Sequence, residues 1–94
     1  MRVRFFAQFR NITGCAEAEL PHQETAGALA RSLCDRYGEV LRKKLFVPGK
    51  GSEEILSPEI IFLINGRHIS HLGGASAPLQ PDDKVDIFPM VAGG

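Results

Sequence analysis

Glu59-Ile60-Ile61-Phe62-Leu63-Ile64 is the most apolar run in the chain, and Asn65-Gly66 follows it at once. The run is too short for a buried helix and rich in β-branched residues. It reads as a central strand with apolar side chains for both faces of a sheet. Asn-Gly is a strong tight-turn signal, so Arg67-His68-Ile69 returns beside the strand. Leu72 to Leu79 reads as a loop holding a turn of 3₁₀ helix. Pro81-Asp82-Asp83 then turns the chain into a last strand, Lys84 to Phe88. There Val85 and Ile87 face inward, and Lys84, Asp86 and Phe88 face outward.

Upstream of the apolar run, Val47-Pro48-Gly49-Lys50-Gly51-Ser52 reads as a surface loop. Its Gly-Lys-Gly-Ser piece lacks the spacing and the preceding buried strand of a phosphate-binding loop. Glu39 to Phe46 suggests a short helix with Val40, Leu41 and Leu45 as its apolar residues. Ala26, Leu29, Ala30, Leu33, Cys34 and Tyr37 recur at steps of three and four, the apolar face of a longer helix. Thr25 suits its N-cap, and Gly38 suits a left-handed end. Pro21 to Glu24 is a connector. At the N-terminus, Arg2 to Phe9 alternates as a strand, with Phe6 as an aromatic on the polar side. Arg10 to Gly14 carries turn residues, and Cys15 to Leu20 alternates weakly, so a hairpin is expected.

The order is strand, strand, helix, strand, short strand, strand. One main helix covers one face of a mixed sheet and leaves the other open. Phe6 and Phe88 both belong to that open face. If the first and last strands are neighbours, the two rings form a contiguous apolar patch, and such a patch marks a binding surface.

Ninety-four residues suit one domain without a deep catalytic cleft. Eleven basic and eleven acidic side chains cancel, which argues against nucleic acid as the main partner. Cys15 and Cys34 have no CxxC spacing and are expected as reduced thiols of a cytoplasmic protein. Met1 to Phe6 is too short in its apolar run for a signal peptide, and no stretch is long enough to span a membrane. His68 and His71 stand three residues apart, but no further ligand converges on them, so no metal site is expected. Ser70 beside His71 does not make a nucleophilic triad, and nothing near Cys15 marks it as reactive.

Residues 1–89 thus read as one folded domain, and Met90-Val91-Ala92-Gly93-Gly94 as a flexible tail. Glycine loses the most conformational entropy on ordering, so a fold gains little from ending on Gly93-Gly94. Such an end suits a partner that threads it through a slot to reach the carboxylate. Extended, the tail reaches roughly 16 Å beyond the last strand.

Val3-Arg4-Phe5-Phe6-Ala7-Gln8-Phe9-Arg10, together with Ile64-Asn65-Gly66-Arg67 and Asp83 to Pro89 leading to Gly93-Gly94, resembles the MoaD/ThiS family of ubiquitin-like sulfur carriers. The Leu45-Phe46 loop and Leu72-Gly73-Gly74 look most like its archaeal-type MoaD branch. The resemblance covers essentially the whole chain. It implies an α+β, β-grasp fold: a mixed four- to five-stranded sheet with one main helix on one face. It implies that a partner adenylating enzyme of the MoeB/ThiF kind uses ATP to convert the Gly94 carboxylate to an acyl-adenylate. A sulfur donor then displaces AMP and leaves a thiocarboxylate. The chain is then a co-substrate that binds no cofactor. In a MoaD-like pathway it passes sulfur to a pterin precursor as small subunit of a molybdopterin synthase, beside a larger MoaE-like subunit.

Carried over by position, Phe6, His68 and Phe88 match the family's partner-contacting patch, with Pro89 and Val91 leading from it to Gly93 and Gly94. His68 departs from the bulky apolar residue usual there, and Pro81-Asp82-Asp83 departs from the usual Asp-Gly-Asp. Other outcomes start from the same adenylate. Gly94 can be joined to a target lysine, making the chain a protein modifier. The sulfur can serve thiamine, cysteine, a tungsten cofactor or tRNA. A third class is a non-covalent β-grasp adaptor.

Overall fold

The computed structural model describes residues 1–51 and 53–90. Strand β5 (Ile60–Ile64) pairs antiparallel with β7 (Lys84–Pro89) on one side and with the short β6 (Arg67–His68) on the other. β7 pairs in parallel with β1 (Arg2–Phe5), and β1 pairs antiparallel with β2 (Glu17–Glu19). The sheet order is therefore β2-β1-β7-β5-β6. The last strand, and not the most apolar one, holds the centre. Ile60, Phe62 and Ile64 are buried, while Ile61 and Leu63 are half-buried on the opposite face. This mixed sheet with its main helix on one face is the expected β-grasp arrangement.

Helix α2 (Ala26–Tyr37) covers the inner face. Thr25 caps it as expected, its hydroxyl accepting from the Ala28 amide at 3.1 Å. Ala26, Leu29, Ala30 and Leu33 are buried against Val3, Phe5, Phe62, Val85 and Ile87. Gly38 has the positive φ expected, 91°, but its ψ of −170° is extended, not left-handed helical. The chain therefore swings directly into a second helix, α3 (Glu39–Leu45), where Leu41 and Leu45 are buried and Val40 is exposed.

Two readings need correction. The first strand stops at Phe5, and Gln8–Thr13 forms helix α1, ended by Gly14 at φ 77°. Ala7, at φ 53° and ψ −128°, makes the sharp bend between them. Strand alternation and a helical turn both place Phe9 inside, so periodicity could not separate them; Phe9 is fully buried. β1 and β2 still pair antiparallel, but through a helix, not a tight hairpin turn. The second correction concerns the loop read over residues 47–52. Phe46–Pro48 (β3) and Glu54–Leu56 (β4) form a two-stranded ribbon. Each strand is only three residues long and one carries proline, too little for a periodic signal.

The Asn65-Gly66 turn is as expected. Both residues have positive φ, 51° and 83°, the combination of a type I′ hairpin turn. Asn65 also donates from Nδ2 to Asp83 Oδ1 at 2.8 Å and accepts from the Lys84 amide at 3.0 Å. That clamp ties the hairpin to the start of β7. Asp82 is not among the described residues with positive φ, so this turn has no need of glycine there. The loop before it holds two 3₁₀ turns, Ile69–His71 and Gly74–Ser76.

Because α1 exists to seat Phe9, Phe9→Ala should destabilise the domain by about 3–5 kcal/mol in urea denaturation. A loss under about 1 kcal/mol would show that α1 is not packed as described.

Candidate functional site: the open face of the sheet

The face of the sheet away from α2 carries alternate residues of every strand. Side chains of directly opposed residues share a face. One row therefore runs Glu17, Arg4, Asp86, Leu63, His68 across β2, β1, β7, β5 and β6. The next row toward the end of β7 pairs Phe88 with Ile61. Phe6, just past β1, stays tied to β7 through its amide, which donates to the Ile87 carbonyl at 3.1 Å.

That tie brings Phe6 over Phe88. The ring centroids are 4.1 Å apart and the planes lie 7° from parallel. Stacking at this distance is worth about 0.5–1.5 kcal/mol beyond area burial. Both rings remain half-buried. Ile61 and Leu63, also half-buried, widen the apolar surface beside them. The patch expected from parity therefore exists, and it includes two residues of β5 that parity alone did not single out.

The sequence reading also passed over an ion pair in the patch. Arg4 donates from Nε to Asp86 Oδ1 at 2.6 Å and from Nη2 to Oδ2 at 2.9 Å. The Asp86 side chain is only 12% exposed, against 48% for Arg4. The Arg4 guanidinium also lies over the Phe6 ring, 5.5 Å from its centroid. The hydrogen bonds that Arg4 donates to Asp86, and then the charge of that carboxylate, hold Arg4 above the ordinary guanidinium range. A signal was present in the sequence: Arg4 and Asp86 each stand two residues before one of the stacked phenylalanines.

His68 lies on the same face, but Leu63 separates it from the ion pair. Its Nδ1 accepts from the Ser70 amide at 3.0 Å and caps the first 3₁₀ turn. This gives a structural reason for a histidine where an apolar residue is usual. Pro89 is half-buried at the end of β7, opposite Ile60. Met90, the first residue of the expected tail, donates its amide to the Glu59 carbonyl at 2.8 Å and is 52% exposed. Val91, Gly93 and Gly94 lie outside the described residues.

The model of the ThiS family matches residues 3–94. The chain belongs to the ThiS family. It is 34% identical to small archaeal modifier protein 3 of Haloferax volcanii over 96 residues, spanning 100% of this chain and 98% of that relative. The solution structure of small archaeal modifier protein 1 from Methanosarcina acetivorans superposes with a TM-score of 0.83 at 35% identity, covering 99% of this chain and 94% of that one. A Pyrococcus furiosus structure, provisionally described as molybdopterin converting factor subunit 1, gives 0.68 at 26% identity, covering 96% and 95%. The ThiS family here is one of ubiquitin-like sulfur carriers and modifiers.

Away from the open face of this ThiS-family chain, other chemistry is sparse. Among the described residues no group of three His, Cys, Asp or Glu side chains could hold a metal ion. Among them, too, no helix is long and apolar enough to cross a membrane. Cys15 and Cys34 are free thiols, both partly buried. Cys15 Sγ sits 3.8 Å from the Tyr37 hydroxyl. Cys34 lines a small cleft with Arg31, Asp35 and Arg42. Burial pushes its thiol up to about 11, against an opposing pull from Arg42.

A thiol raised in the folded state is protonated below its unfolded value. It therefore supports the fold at neutral pH, and that support is lost as pH climbs from about 9 toward about 11. The expected outcome is slow alkylation of native Cys34 by iodoacetamide at pH 8 and fast alkylation in urea, read by peptide mass spectrometry. Equal rates in both states would contradict the burial described.

Proposed function

We propose that this chain is a carrier activated at the carboxylate of Gly94 and loaded there with sulfur for molybdopterin synthesis. A carboxylate is a poor electrophile. In a partner adenylating enzyme, a Gly94 carboxylate oxygen attacks the α-phosphorus of ATP and pyrophosphate departs. The acyl-adenylate now has AMP as a good leaving group. Hydrosulfide attacks the acyl carbon, the bond to AMP breaks, and a proton is lost, leaving the thiocarboxylate. In a molybdopterin synthase the thiocarboxylate sulfur then passes to a pterin precursor held by the larger subunit. This chain supplies the acyl end, and the enzymes supply the nucleotide and pterin sites.

The observation that carries this reading is the Phe6–Phe88 stack at the end of β7. It offers an apolar docking surface on the strand whose chain runs on to Gly93-Gly94. Membership in the family of ubiquitin-like sulfur carriers and modifiers supports the same chemistry. Members of that family work with activating enzymes and partner proteins, which supports an adenylating partner here.

A second reading shares the adenylate. A lysine Nζ of a target protein attacks the acyl carbon, AMP leaves, and an isopeptide bond forms. The names of two relatives at 34% and 35% identity favour this fate, since both are small archaeal modifier proteins.

Intact mass separates these fates in a reconstituted mixture of chain, adenylating enzyme, ATP and sulfide. Oxygen-for-sulfur exchange at Gly94 is the expected product, and removal of Gly94 should abolish it while the fold is kept. Exchange in the truncated chain would overturn the carrier reading. Lysine-linked conjugates recovered from the native cell, with an unchanged free terminus, would favour the modifier instead. On the docking side, Phe88→Asp should weaken enzyme binding roughly thirtyfold, as loss of a central apolar anchor does. Its melting temperature should stay near that of the wild type. Global unfolding would mean that Phe88 is core, contrary to its place on the open face.

A further inference from the structure

Resting on that reading, we propose that Arg4 is a specificity-determining residue. Fixed by Asp86 beside the Phe6–Phe88 stack, it receives a carboxylate on the docking surface of the adenylating enzyme. Asp86 takes Nε and Nη2 of the guanidinium. Nη1 has no acceptor among the described residues, and the side chain is 48% exposed. On a side chain this exposed, Nη1 is left to meet a partner beside the aromatic stack.

The guanidinium is held in place. Swinging it away would strand a carboxylate that is only 12% exposed, and an uncompensated buried charge is costly. The Phe6 ring supports it from a second side. Little side-chain freedom is left to lose on docking, so a new hydrogen bond to Nη1 comes with a small entropic penalty.

The length of the chain says which partner covers this site. Residues 91–94 span at most about 14 Å when extended. An enzyme that acts on the Gly94 carboxylate must therefore bring its body close to Met90, and Phe88 stands just two residues before Met90. A surface seated on Phe88 and Phe6 strips water from Nη1. A donor left unpaired in that position costs more than a weak contact gains. The enzyme must supply an acceptor there. A guanidinium N–H is met most strongly by a carboxylate. Glu17, opposite Arg4 in the register, is already paired with Arg2 at 3.0 Å, and Glu19 and Lys84 stand on either side of Arg2 on the same face.

The test is ATP–pyrophosphate exchange by the recombinant adenylating enzyme of the same cell, with this chain as the varied substrate. Two variants are compared with the wild type. Arg4→Lys keeps the charge and loses the fork. The double variant Arg4→Gln with Asp86→Asn keeps a hydrogen-bonded neutral pair, so the fold is retained without either charge. In both, KM for the chain should rise on the order of tenfold with kcat unchanged, the loss expected for one charged hydrogen bond. The dependence of KM on salt should weaken in the double variant.

Exchange with unaltered KM in both variants would overturn the role of Arg4 and leave the Gly94 reading standing. A fall in kcat at constant KM would do the same. If the wild type supports no exchange, the Gly94 reading fails and this inference falls with it. Self-association of the wild type in sedimentation that the double variant abolishes would assign the face to a second copy, against the proposal.

Discussion

The parallel pairing of β1 with β7 is the constraint on which the rest depends. It joins the two ends of the chain at the middle of the sheet, in the register Val3 with Val85, Arg4 with Asp86, and Phe5 with Ile87. Side chains alternate across a strand, so a slip of one residue would exchange the two faces. In the observed register, Val3, Phe5, Val85 and Ile87 are at most 1% exposed beneath α2. The same register puts Arg4 on Asp86 and Phe6 on Phe88 on the other side. Core and patch are thus set by one pairing.

Magnitudes show why the open face is available for recognition. Fully burying one large apolar side chain is worth about 1.5–3 kcal/mol, and many such residues fill the inner face. The ring stack adds about 0.5–1.5 kcal/mol, and an ion pair whose guanidinium is half exposed is weakened by solvent on that side. The fold therefore rests on the inner face. The outer groups are free to be chosen for a partner. Their arrangement is still firm, because the phenylalanines hold each other and the carboxylate holds the guanidinium. A preorganised surface of this kind favours affinity by having little left to order.

Much of this was legible in the residues themselves. Alternation in Lys84 to Phe88 assigned Val85 and Ile87 to the core and Phe88 to the opposite face, and the spacing from Ala26 to Tyr37 defined the main helix. Asn65-Gly66 located its hairpin because few residue pairs accept positive φ at both positions. What failed was local. Phe9 is inward in both a strand and a helix, so only the bend at Ala7, an unusual conformation for alanine, decides between them. The β3–β4 ribbon is too short to show a period. Alternation places Asp86 outward and says nothing of its burial. Its burial depends on Arg4, whose distance of 82 residues along the chain no local pattern can reveal.

On the proposed function, an enzyme acting on Gly94 docks on the face opposite α2. Amide hydrogen exchange of the chain, measured with and without the adenylating enzyme and ATP, tests it most directly. New protection is expected along β7 and β5 near Phe88 and Ile61, with α2 unchanged. Protection gathered on α2 and its flanking loops, with the Phe6–Phe88 neighbourhood unaltered, would contradict it.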